Sequence, residues 1–145
     1  DSTMSGSIKL IAEFLTIREN FPFVTAQDIY RMTTENAARA LFLPKDFACL
    51  NPDGCRNLLL TDKVERDPFE NLYTLEAATI QLLLVDGIPR FGDSEWLEVL
   101  NLDDEKYSTF RTGNKEKFVL GDPMDLNDQI DEVLGYHKDF PYLPF

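Results

Sequence analysis

An α+β chain is predicted, with helices at both ends and a run of short strands between them. Three local signals carry that reading. Ile8, Ile11 and Leu15 form one apolar row and Leu10, Phe14 and Ile17 a second, at the spacing of a helix covered on more than one side. Thr25 followed by Asp28 is a variant of the capping box that opens a second helix. Asp86-Gly87, set between two apolar arms, is the dipeptide of a tight type I′ hairpin.

Taken in order, residues 1–7 (DSTMSGS) form a polar loop that runs straight into the first helix, over 7–18, with Ser7 or Ser5 as its cap. The loop reads as the exit of a barrel strand into its following helix, which implies a segment upstream. Pro22 bars continuation of that helix. The second helix is expected from Thr25 to about Leu43, where Pro44 stops it, and Ala37, Ala38 and Ala40 allow close packing. NPDG at 51–54 reads as a turn, RNLLLT at 56–61 as a short buried strand, and ERDPFENL at 65–72 as an ordered loop. In the return arm of the hairpin Pro89 lacks a donor, so that arm is expected at an edge or turned outward. EWLEVL, YSTFRT and KFVL are further strand candidates, with a turn at 112–114. A last helix is expected over DLNDQIDEVLGY, capped by Asp125 and ending near Gly135, before an aromatic, proline-rich tail that docks on the body.

The 145 residues suffice for a domain with a real core, and 43% hydrophobic with 12% aromatic content excludes disorder. The formal charge of −12, from 14 Lys and Arg against 26 Asp and Glu, repels phosphate backbones and anionic lipid. Neither nucleic acid nor membrane is therefore an expected partner. Runs such as LLLV at 82–85 are far too short to span a bilayer. Cys49 and Cys55 make neither a disulfide framework nor a zinc site alone. They read as reduced, partly buried residues of a cytoplasmic protein, with a disulfide across the short loop as the other reading. His137 is the sole histidine and reads as a surface residue at a helix end.

With one imidazole, the residues present are poorly equipped for nucleophilic or metal-centred hydrolysis. Asp1 is the first candidate, because a carboxylate at a strand exit can hold a metal or move a proton. The acidic stretch GDPMDLNDQIDE lacks the spacing of a calcium loop and reads as capping plus a solvated face. No phosphate-binding glycine motif is present.

Three stretches in order resemble the amidohydrolase superfamily, the cytosine-deaminase and triazine-hydrolase-like group of metal-dependent hydrolases. TAQDIYRMTTENAARALFL carries Thr34, Asn36, Ala38 and Leu41 in the family's Thr-x-Asn-x-Ala-x-x-Leu pattern. LNPDGCRNLLLTD is similar to its Pro-Gly turn feeding a strand, with Asp53-Gly54 where Pro-Gly is usual and Asn57 where Asp is usual. DPFENLYTLEAATIQLLLVDGIPRFGD is similar to its Val-x-x-Val-x-Val-x-Gly hairpin. The likeness covers residues 1 to about 93 well and the remainder loosely.

This resemblance implies two helices from the end of a (β/α)8 barrel, strands of the flanking β-sandwich, and a C-terminal helix. The implied boundaries are 1–45 for the barrel end, 46–121 for the sandwich portion and 122–145 for the helix and tail. Asp1 falls on the family's catalytic Asp, which ligates zinc or iron and handles the proton of the attacking water, with Ser2 and Thr3 in the substrate loop behind it. The histidine ligands on earlier strands are not in this chain, so by itself it is expected to be inactive and metal-free. Its partner would be the missing N-terminal barrel segment or a second copy, and the complete enzyme would hydrolyse or deaminate non-peptide C–N bonds of a small molecule. The competing expectation is a non-catalytic, β-rich interaction or structural module derived from that family.

Overall fold

The computed structural model describes residues 9–44, 47–50 and 56–140. These fall into two compact units, one within 1–56 and 62–79, the other within 57–61 and 80–145. Among the described residues the fold is α+β, with helices before and after a five-stranded antiparallel sheet.

In the first unit, α1 (Leu10–Asn20) buries Phe14 and half-buries Ile11 and Ile17, while Leu10 and Leu15 stay exposed. Its wide apolar face is only partly covered. Ser5 and Ser7, the expected caps, lie outside the described residues. α2 (Ala26–Thr33) opens on the expected capping box. The Thr25 hydroxyl accepts from the Asp28 N–H at 3.1 Å, and the Asp28 carboxylate accepts from the Thr25 N–H at 3.0 Å. The Thr25 hydroxyl also donates to the Asp28 carboxylate at 2.6 Å, and this bond, with the one from the Thr25 N–H, holds the Asp28 carboxyl below the usual carboxylate range.

The second helix does not run unbroken to Leu43. Thr33 and Thr34 are adjacent β-branched residues whose hydroxyls donate back to the Ile29 and Tyr30 carbonyls at 3.0 and 2.7 Å. Thr34 leaves helical geometry (φ −118°, ψ −92°), and a separate helix, α3 (Glu35–Ala40), follows. The chain then turns through Phe42 at a φ of 56°, two residues before Pro44.

The 65–72 region is ordered, as expected. Asn71 Oδ1 accepts from the N–H groups of Val64 and Glu65 at 3.0 and 2.8 Å, and residues Glu70–Thr74 form a 3-10 turn. This turn faces α1 through Arg18, whose guanidinium lies 4.6 Å from the Tyr73 ring centre and 3.8 Å from Glu70. Phe69 meets Tyr30 edge to face at 5.4 Å.

The second unit is the sheet, in order β1 (Leu58–Thr61), β2 (Ile80–Val85), β3 (Ile88–Asp93), β5 (Lys115–Leu120), β4 (Tyr107–Thr112). The hairpin between β2 and β3 has the turn read from the sequence, with Asp86 at φ 54° and Gly87 at φ 76°. Asn57 Oδ1 accepts from the Asp86 N–H at 2.8 Å, tying the turn to the residue before β1. β4 and β5 form the second expected hairpin, Thr112 opposite Lys115.

Several expectations need correction. β1 is an edge strand and not a buried one, with Leu59 46% exposed. β3 is interior to the sheet, but at Pro89 it is an edge, as expected at that residue, because β5 pairs only with Phe91, Gly92 and Asp93, beyond it. Residues Glu95–Val99 form a short helix, α4, where a strand was expected, because a brief apolar run has no period to distinguish the two. α5 (Pro123–Leu134) is capped by Asp122, not Asp125. The Asp122 carboxylate accepts from the Asp125 N–H at 3.0 Å, and Pro123 takes the first helical position. Gly135 closes α5 in left-handed geometry, as expected. The turn at 51–54 and the tail beyond Phe140 lie outside the described residues.

Leu82, Gly92 and Phe118 share one face by register. Phe91, Asp93, Lys117 and Phe110 share the other. Phe118 is fully buried and meets Tyr107 edge to face at 5.5 Å. Gly92 makes that packing possible. A Cβ there would stand 2.5 Å from the Gln81 carbonyl oxygen and 2.9 Å from the Phe118 ring.

Candidate functional site

Asp1, Ser2 and Thr3, the residues singled out as catalytic, metal-binding and substrate-loop, lie outside the described residues, as does Cys55. Cys49 is exposed, against the expectation of partial burial. His137 lies beyond the end of α5 with its side chain 72% exposed, as read from the sequence.

The concentration of charge that the sequence did not announce lies where β3 meets β5. Asp93 and Lys117 are direct partners across the two strands, so their side chains leave the sheet on the same face. Lys117 is completely buried. Its ammonium donates to Asp93 Oδ1 at 2.5 Å and to the Ile80 carbonyl at 2.7 Å, and stands 5.9 Å from the Phe91 ring centre. The second ammonium, on Lys115, lies 3.8 Å from Asp93 Oδ2. Asp93 is thus held between two cations of the same strand. The pair satisfies its own charge, which is the condition for placing an ammonium inside a sheet at all.

Above this pair the surface dips into a polar depression of about 350 Å³, lined by Gln81, Asp93, Ser94, Glu95, Lys115 and Glu116. Ser94 donates from its hydroxyl to Glu116 Oε2 at 3.0 Å, and its N–H donates to the Glu116 carbonyl at 3.0 Å. The lining carries carboxylates, an ammonium, a hydroxyl and an amide, but its serine faces a carboxylate and no imidazole. It has the make-up of a polar surface recess, not of an activated nucleophile. Among the described residues no group of three or more His, Cys, Asp or Glu is placed to hold a metal ion.

Two other polar arrangements are well formed. Tyr73 has its hydroxyl pushed up by burial and by Glu70, against the opposing effect of Arg18. At the C-terminus of α5 the Asp131 carboxylate receives both the His137 ring and a backbone amide.

Comparison with known proteins finds no matching family model, curated protein or solved structure. Among the described residues no helix is long and apolar enough to cross a membrane.

Proposed function

We propose that this chain is the C-terminal portion of a metal-dependent amidohydrolase acting on non-peptide C–N bonds. It would supply the end of the catalytic barrel and part of the flanking sandwich. The observation that supports this most is an ordered set of pairings. α3, which carries Asn36 and Ala38 and is flanked by Thr34 and Leu41, is followed by β1, and β1 pairs antiparallel with the first arm of the Asp86-Gly87 hairpin. That is the arrangement expected where the chain leaves the barrel and returns to complete a sandwich.

On this reading Asp1 and the upstream imidazoles would hold zinc or iron, which activates water for attack on an amide, amidine or ring carbon. The Asp1 carboxylate accepts the water's proton and passes it to the leaving nitrogen, while Ser2 and Thr3 border the substrate. The chain without its barrel segment is inactive, and the complete enzyme is cytoplasmic.

Intact mass under denaturing conditions, metal content and turnover on a panel of cyclic amides and aminated nitrogen heterocycles test the reading together. A longer or second polypeptide with several histidines, bound metal and turnover is the expected result. In that protein Asp1→Asn should lower kcat by a factor on the order of 10²–10⁴ with folding unchanged. Full activity in the variant would remove Asp1 from the mechanism. A metal-free, inactive species with the mass of these residues alone would favour a non-catalytic module.

A further inference from the structure

α5 ends at Gly135 in left-handed geometry, and the chain then reverses past the last turn of the helix. Asp131 holds this reversal from the helix side. Its Oδ1 accepts from the Lys138 N–H at 2.8 Å, and its Oδ2 lies 2.5 Å from His137 Nδ1. One carboxylate therefore grips the chain at two successive residues beyond the helix.

We propose that Asp131, His137 and the Lys138 amide form a pH-operated clasp on the chain leaving α5, tight with a charged imidazole and loose with a neutral one. The charges that face the imidazole are mostly of one sign. Asp131 is in direct contact, and Asp128 on the helix and Asp139 beyond the turn both favour the cation. The free carbonyls at the end of α5 act in the same direction. Lys138, adjacent in sequence, carries a positive charge, and its backbone N–H serves the clasp. A neutral ring can still donate if its proton sits on Nδ1, but the charge attraction is gone, so the clasp loosens without having to break.

The hydrogen bond to Asp131 and its charge raise the His137 pKa. Bonds from the Lys138 amide and His137 lower that of Asp131. A group whose folded value is raised stabilises fully below its unfolded value, 6.5 for His137, and that contribution is lost as pH rises through the raised value. The Asp131 contribution is present above 3.8 and lost as pH falls through its lowered value. The clasp is therefore tight in mildly acidic solution and loosens at the alkaline side of histidine titration.

His137 is the only histidine, so its ring signal is unambiguous in an NMR titration of the whole chain between about pH 5 and 8.5. The expected result is a midpoint above 6.5, with the Lys138 amide shift following the same midpoint. Asp131→Asn, which keeps an acceptor for the Lys138 N–H, should bring the ring midpoint down. His137→Gln should leave the Lys138 amide without a response in that range. Equal ring midpoints in the parent and Asp131→Asn, or a Lys138 amide that does not move in the parent, would overturn the proposal.

Discussion

Removing the Asp93 carboxylate leaves the Lys117 ammonium buried beside Phe91 without its counter-charge. Such losses cost about 3–5 kcal/mol, whereas replacing both partners by apolar residues of similar size is often neutral or stabilising. Asp93→Ala is therefore expected to lower the unfolding free energy by that amount, read as a lower urea midpoint, and Asp93→Leu with Lys117→Met to restore or exceed the parent midpoint. A single variant with an unchanged midpoint would mean the pair adds nothing to the sheet. Nothing in the run KEKFVL betrays this lysine, because on an exposed strand the same residues would alternate with solvent. Its burial follows from a cross-strand partner 24 positions away, which local sequence does not record. The capping box at Thr25 was legible for the opposite reason, since both of its halves lie within one turn.

At the scale of elements the two glycines of the central hairpin do different work. Gly87 has open space where a Cβ would stand and is needed only for its φ of 76°, so Gly87→Ala should cost about 1 kcal/mol. Gly92 has ordinary backbone geometry, but the Gln81 carbonyl and Phe118 already occupy the Cβ position. Gly92→Ala must displace backbone, and the expected cost is about 3 kcal/mol. Thermal or urea midpoints of the two variants check the order. A Gly92→Ala chain no less stable than Gly87→Ala would mean that β2 and Phe118 yield easily. The turn was readable from its dipeptide; the close approach at Gly92 was not, because it depends on the register with β2 and on Phe118 of β5. The break at Thr34 and the helical state of α4 escaped for a further reason. The break goes with the Thr34 hydroxyl bond back to the Tyr30 carbonyl, and the five residues of α4 are too short a run for an apolar period to separate helix from strand.

Over the whole molecule, acidity and exposed apolar residues oppose each other. The helical unit leaves Leu10, Leu15, Leu41 and Phe42 exposed, and on the proposed reading these await a barrel segment or a second copy. Copies carrying −12 each repel, so association through such residues should strengthen as sodium chloride rises from about 0.02 to 0.3 M. Sedimentation velocity reads this directly, and an average mass that fell with salt would point to a charge-driven contact instead. The α+β class and the two hairpins could be read because each closes over a few residues. The sheet order could not, because joining the hairpins means pairing β3 with β5. That junction also governs how the sheet closes. Each hairpin can zip from its own turn, but Asp93 reaches Lys117 only after residues 94–116 have looped back, and loop closure must precede the contact that rewards it. The ammonium therefore sheds its water at the seam between two locally formed halves, where the chain has the farthest to return.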